Sequence, residues 1–278
     1  MLKIELMNTN PSTSFRLIST IRWFSLPGVV QAAAFLLALL AFLPSPSRGQ
    51  ATNSAAASMS GTGYQFIVNQ QNTFAYFIND PANATVLETG MASWGPNWAW
   101  IGSPASTTAG SNGSLSISAP LTFSPSDVLT VALSASAPSN NSIAYKYTLT
   151  APTDTNTTQI AVANSIKTGS WTSKITGITL TADKVTNIVY GANEKITAPW
   201  SPYFNTVSNV TKAVIHIPSG DITVTFDPPL GVCFQGDDPS FRFVLASGII
   251  KAGATTTTIT YTFPQPVNFA TTSGLTAP

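Results

Sequence analysis

Three tryptophans that lie close together are the residues of this chain best suited to recognising a ligand. Trp94, Trp98 and Trp100 occur in a segment that also contains glycine and proline. If this segment ends in a strand, Trp98 and Trp100 share one face, about 6.7 Å apart. Indole rings attract the polarised C–H groups of a sugar face, and an amide such as that of Asn97 bonds sugar hydroxyl groups. The cluster therefore predicts a surface that binds carbohydrate.

A second aromatic segment occurs later in the chain, where Trp200 and Tyr203 flank Ser201-Pro202. On loops at one edge of the fold, the two segments would form a platform for a polysaccharide or another glycan. The alternative is that their rings close the ends of a hydrophobic core. In that case the protein would be a structural, adhesion or envelope assembly module with buried tryptophans.

An acidic loop predicts a metal site. Asp237 and Asp238 follow a glycine and precede a proline. Carboxylate and carbonyl oxygens gathered by such a loop suit a hard cation. Together with Asp227, the pair predicts a structural Ca²⁺ site, and no other cofactor is predicted.

The sequence spells out no catalytic residue. It contains no Gly-x-Ser-x-Gly elbow, and His216, the single histidine, alternates with isoleucines as a structural strand residue does. Cys233, the single cysteine, is interpreted as a small buried hydrophobic residue. The pattern favours a protein that is not an enzyme. Paired carboxylates keep a glycosidase or polysaccharide lyase open as an alternative, since such enzymes need only two Asp or Glu side chains.

The elements that must position these residues are strands. The chain is 44% hydrophobic and 8% charged, and apolar residues alternate with serine and threonine. The clearest example places five residues on one face: Leu115, Ile117, Ala119, Leu121 and Phe123. Turn residues divide the chain into about thirteen such short strands. We therefore predict an all-β fold, a two-sheet antiparallel β-sandwich of jelly-roll or immunoglobulin-like type.

The N-terminus has the pattern of a secretion signal. An apolar run, Val29 to Leu43, follows Arg16 and Arg22 and precedes prolines and small residues. The run is shorter than the roughly 20 apolar residues that cross a bilayer. We predict a signal peptide with a signal helix at 1–51, a flexible linker at 52–63, the sandwich at 64–264 and a C-terminal tail or linker at 265–278. The protein would be secreted or extracellular, with a periplasmic or cell-surface location as the alternatives, and would contact a membrane only through the signal segment during export.

The charge balance argues against nucleic acid as a partner. Removing Lys3, Arg16, Arg22 and Arg48 from the 12 basic residues, and Glu5 from the 11 acidic ones, leaves eight basic and ten acidic residues. A nucleic-acid-binding protein needs a basic face. No feature predicts an oligomeric state.

The chain after the signal resembles the non-catalytic β-sandwich modules of secreted bacterial polysaccharide-degrading enzymes and surface proteins. The resemblance rests on the apolar run 29–43, on threonine-rich alternating segments such as 256–263, and on the aromatic segments 94–100 and 200–204. It implies an extracellular setting and a sandwich architecture, for which carbohydrate binding is a familiar use. It assigns no individual binding residue.

Overall fold

The alternating segments form strands throughout the part of the chain that the structure describes. This structure is a computed structural model that describes residues 62–69, 72–104, 114–165, 175–191, 196–199, 205–234 and 240–272. All of these residues belong to one unit of the chain, residues 50–278. The predicted signal segment 1–51 and its helix lie outside the described residues. Within the described ranges, no helix is long and apolar enough to cross a membrane.

The described residues contain sixteen strands and one short 3-10 turn, Pro96–Trp98. The strands are β1 (Tyr64–Asn69), β2 (Ala75–Asn79), β3 (Thr85–Trp94), β4 (Trp100–Gly102), β5 (Ser114–Ser124), β6 (Asp127–Ser139), β7 (Ser142–Ala151), β8 (Thr155–Ser165), β9 (Gly177–Thr181), β10 (Val185–Tyr190), β11 (Ile196–Ala198), β12 (Asn205–His216), β13 (Ile222–Phe234), β14 (Phe241–Ile250), β15 (Gly253–Thr262) and β16 (Val267–Thr272).

All sixteen strands belong to one hydrogen-bonded sheet that divides in two at β13. The first half of β13 pairs with β15, from Thr223 opposite Thr262 to Asp227 opposite Thr258. Its second half pairs with β14 instead, starting at Gly231. Pro228 and Pro229 separate the halves, and because proline has no N–H it cannot continue a ladder. One arm of the sheet therefore runs through β15, β7, β6 and β5, and the other through β14, β8, β3, β2, β1 and β16.

The two arms pack face to face over a shared hydrophobic core. The ring of Phe66 on β1 lies 5.3 Å from that of Tyr145 on β7 and 5.8 Å from that of Tyr261 on β15. At the division, Phe226 of β13 meets Phe243 of β14 at 4.8 Å. All of these rings are buried. Period-two alternation produces this core, because every second residue of each strand points between the arms.

The structure confirms an all-β fold and corrects the predicted sandwich. The described strands do not form two separate antiparallel sheets, since β13 pairs with β15 over its first half and with β14 over its second half. The described residues contain sixteen strands rather than about thirteen. Among the described strands, β1 lies parallel to β16, with Tyr64 opposite Val267. Residues 267–272, which were assigned to a tail or linker, thus complete an arm of the sheet.

Candidate ligand-binding groove

The tryptophan segment forms a tight turn between β3 and β4. Trp94 ends β3 and Trp100 begins β4, with Trp98 in the 3-10 turn between them. Asn97 and Trp98 have φ values of 58° and 61°. The left-handed region is rarely occupied by a bulky residue, and holding one there costs about 1–3 kcal/mol. This cost is concentrated at the exposed tip of the turn.

Two threonines of β8 hold this turn in place. The Thr157 hydroxyl donates to the Trp94 carbonyl at 2.6 Å, and the Thr158 hydroxyl donates to the Gly95 carbonyl at 2.7 Å. The Trp98 backbone N–H also points to the Thr158 hydroxyl, at 3.5 Å. The hydroxyls of a neighbouring strand therefore fix the unusual backbone of the turn.

The three indole rings form one cluster with two rings turned to solvent. Trp94 contacts Trp98 and Trp100 in edge-to-face geometry, with ring centroids 6.0 Å and 5.4 Å apart. Trp98 is 47% exposed and Trp100 is 65% exposed, whereas Trp94 is half-buried. The Arg242 guanidinium lies 4.2 Å above the Trp94 ring and donates to the Gln159 side-chain carbonyl at 3.3 Å. Trp94 is thus fixed from behind and supports the two exposed rings.

A groove of about 500 Å³ begins beside Trp98. It crosses β8, β14, β13 and β12, four neighbouring strands of the sheet, and is also lined by two residues of β15. None of its described lining residues carries a charge. Its polar lining consists of hydroxyl and amide side chains: Thr158, Gln159, Thr206, Ser208, Asn209, Ser247, Thr255 and Thr257.

The groove exists because the sheet divides beneath it. Pro228 and Pro229, at the division of β13, line one end. The floor includes Gly231, where an added Cβ would contact the side chains of Thr206 at 3.4 Å and Val244 at 3.6 Å. On the far side, the pairing of β12 with β13 is irregular around Ser208 and Asn209, and Asn209 has a φ of 57°. Asn209 is exposed at this irregularity and lines the groove.

Cys233 lies two residues beyond the groove residue Gly231 on β13 and is buried, as the sequence predicted. Burial raises the pKa of its thiol, and the Thr206 side chain, the positive charge of Arg242 and the Gln159 side chain only partly oppose this effect. A buried thiol with a raised pKa stays protonated at neutral pH and is a poor nucleophile. Cys233 is therefore not a reactive group of the groove.

His216 makes structural contacts with both ring nitrogens. Its Nδ1 lies 3.0 Å from the Asp221 carboxylate, and its Nε2 lies 2.8 Å from the Thr179 hydroxyl. The Thr179 hydroxyl in turn donates to the Asn187 side-chain carbonyl. These contacts join β9, β10 and β12 to the turn after β12, which agrees with a structural role for this histidine.

The structure brings four of the predicted site residues together: Trp94, Asn97, Trp98 and Trp100. The predicted strand geometry is wrong for Trp98, because its left-handed backbone places it in the turn and not on a shared strand face with Trp100. The alternative of core packing is also wrong for Trp98 and Trp100, since both are exposed. Trp200 and Tyr203 lie outside the described residues.

The predicted calcium site is only partly within the described residues. Asp227 is exposed at the division of β13, but Asp237 and Asp238 lie outside the described ranges. Among the residues that the structure does describe, no three His, Cys, Asp or Glu side chains gather as metal ligands would. Calcium binding therefore stays a prediction.

Sequence reasoning missed the polar half of the groove. Thr158, Gln159 and Asn209 come from strands far apart in the chain, and serine and threonine occupy outward positions on almost every strand. No local pattern distinguishes those that line the groove. The one signal was the doublet Pro228-Pro229, which marks where a ladder must be interrupted.

Comparisons with known proteins give no family for this chain. No family model matches it, and no curated protein matches it. A search of solved structures finds the crystal structure of the GalM/aldose epimerase homologue from C. elegans, which is 10% identical, with a TM-score of 0.39 over 75% of this chain and 100% of that chain. A similarity at this TM-score assigns neither a family nor a function to the present chain.

Proposed function

We propose that this protein is an exported, non-catalytic module that binds carbohydrate in the groove beside the tryptophan turn. The observation that carries the proposal is the position of Trp98, an exposed indole held in a left-handed backbone at the edge of a groove lined by hydroxyls and amides. A sugar presents C–H faces and hydroxyl edges, and this site offers a partner for each.

The chemistry of the lining supports binding rather than a reaction. Glycoside hydrolysis requires two carboxyl groups around the scissile bond. The described lining residues include none, and the nearby thiol of Cys233 is buried. Backbone strain at Trp98 supports a binding role, because residues in strained backbone conformations are concentrated at active sites and ligand-binding sites. We also propose that the segment 1–51 is a signal peptide that directs export.

The proposal is tested by titrating the protein with a panel of soluble polysaccharides and following tryptophan fluorescence and binding heat. We expect at least one glycan to bind, and Trp98→Ala to weaken it about tenfold or more, which corresponds to about 1.4 kcal/mol. Trp98→Phe keeps a flat ring and should retain part of the affinity.

Val185→Ala serves as the matched control, because Val185 is an apolar side chain on β10 that is as exposed as Trp100 and does not line the groove. This variant should bind like the parent. A panel of glycans with no binder, or a loss of affinity that is equal in the Trp98 and Val185 variants, would contradict the proposed function.

A further inference from the structure

We infer that the groove selects an internal segment of an uncharged polysaccharide chain and discriminates against charged ones. This inference rests on the proposed function and adds the class of glycan and the manner in which it lies. It is carried by two observations on the described residues: the groove crosses four strands, and its lining lacks charge.

The extent of the groove requires a chain rather than a single sugar. Trp98 stands at the β8 side and Asn209 at the β12 side, with β14 and β13 between them. Four neighbouring strands span three interstrand spacings, or about 14 Å. A single pyranose ring cannot contact both Trp98 and Asn209 across that distance. Linked rings can, with one stacked on the indole and another beside the amide.

The absence of charge from the described lining selects an uncharged ligand. A carboxylate or ammonium group that enters a groove loses hydration, and an opposite charge on the wall must replace it. The walls instead present neutral groups such as Gln159, Ser247 and Thr257, which match the hydroxyls of a neutral sugar without penalty. Gln159 and Thr257 are buried in the floor, and the Arg242 guanidinium beside Gln159 is already hydrogen-bonded to the Gln159 side-chain carbonyl and stacked on the Trp94 ring.

Asn209 is the specificity-determining residue at the far end of the groove. Its left-handed backbone tolerates Asn, Asp and Gly far better than other residues, so its side chain can be changed without changing the turn. Asn209→Gly removes the amide and keeps the backbone. Asn209→Asp keeps the shape and adds one negative charge at the rim.

The experiment compares matched glycans that differ in charge. The pairs are hydroxyethyl cellulose with carboxymethyl cellulose, methyl-esterified with de-esterified homogalacturonan, and chitin oligosaccharides with their deacetylated forms. We expect the uncharged member of the pair that binds to be favoured about tenfold or more. Its affinity should change by no more than about twofold between roughly 50 and 500 mM NaCl, because neutral ligands are not screened.

A length series tests the manner of binding. For the oligosaccharide that binds, affinity should rise with the number of units until the groove is filled and then level off, with the monosaccharide at least about tenfold weaker. A monosaccharide that binds as tightly as its oligomers would overturn the inference of a chain segment.

The Asn209 variants separate charge from contact. Asn209→Gly should weaken the uncharged glycan by about fivefold to tenfold through the lost hydrogen bond, and Asn209→Asp should improve binding of the deacetylated, cationic oligosaccharide. Asn83 provides the matched control, since it is also a left-handed asparagine, with a φ of 61°, but lies in the turn after β2. Asn83→Gly and Asn83→Asp should leave every affinity unchanged.

The outcomes distinguish the two proposals. If no member of any pair binds, the proposed function fails. If charged members bind as tightly as uncharged ones, or if the Asn83 and Asn209 variants behave alike, carbohydrate binding stands and the selectivity inferred for the groove is wrong.

Discussion

Two clusters of aromatic rings in this molecule have similar ring spacings and opposite environments. The cluster between the arms contains Phe66, Tyr76, Tyr145 and Tyr261, all of them buried. Its rings lie 4.5 to 5.9 Å apart, and the Tyr76 and Tyr261 hydroxyls are hydrogen-bonded to each other. The other cluster, at the β3–β4 turn, has rings equally close together but leaves Trp98 and Trp100 exposed.

The difference shows that coverage by the opposite arm, rather than aromatic content, decides which rings are buried. Phe66 lies on a strand face that the other arm covers, and so its ring removes apolar surface from water and stabilises the fold. The tryptophan turn lies beside the place where the sheet divides, on the outer side of its own arm. Its rings keep water-exposed faces, and those faces are available to a ligand.

The largest expected effect is loss of the fold at alkaline pH, caused by the buried phenols. Burial raises the pKa of Tyr76, Tyr145, Tyr147 and Tyr261 above the ordinary value of about 10. The folded state therefore holds these protons more tightly than the unfolded state does. Their contribution to stability is complete below pH 10 and is lost as the pH rises above it. We expect cooperative unfolding in this range, followed by near-UV circular dichroism.

Absorbance at the phenolate band provides the check on this expectation. The buried tyrosines should ionise only together with the loss of near-UV signal. Ionisation of every tyrosine near pH 10 in a protein that keeps its near-UV spectrum would mean that the interlayer cluster is accessible to water, and the contrast between the two clusters would disappear.

A pair of alanine substitutions sharpens the comparison next. Phe66→Ala should lower the free energy of unfolding by about 3–5 kcal/mol, because it leaves a cavity between the arms. Trp100→Ala should lower it by no more than about 1 kcal/mol, the value of its edge contact with Trp94. Urea unfolding of both variants measures the difference. Equal losses would show that the tryptophan cluster is part of the core.

The core of this fold could be predicted from the sequence because the alternation of apolar and polar residues along a strand is a local signal. Leu115, Ile117 and Leu121 alternate with polar residues, and all three are buried as the alternation requires. The pattern says only which face of a strand is covered. The pattern does not say which strand lies beside another. The parallel pairing of Tyr64 with Val267, which are more than 200 residues apart, could therefore not be predicted from it.

The site was predicted only as far as its aromatic half. Trp98 and Trp100 stand out because tryptophan is rare and conspicuous, and their neighbourhood is contained in one turn. The left-handed backbone of Trp98 depends on hydroxyls from β8, and the polar wall depends on where β13 changes partner. Both are consequences of long-range pairing, which alternation of apolar and polar residues does not encode.

The smallest expected effect comes from single hydroxyl groups inside the interlayer cluster, and it has opposite signs at two positions. The Tyr145 hydroxyl is buried without a hydrogen-bond partner. Because an unpaired buried hydroxyl costs about 1–3 kcal/mol, Tyr145→Phe should raise the free energy of unfolding by about 1 kcal/mol. Tyr76→Phe also removes a phenolic hydroxyl, but this hydroxyl is the hydrogen-bond partner of the Tyr261 hydroxyl. The substitution should therefore lower the free energy of unfolding by about 1–2 kcal/mol. Urea unfolding measures both changes, as shifts of the midpoint concentration at an unchanged dependence of the free energy of unfolding on urea. If both variants were destabilised alike, an ordered water must satisfy Tyr145, and the cluster would be less dry than the packing of its rings implies.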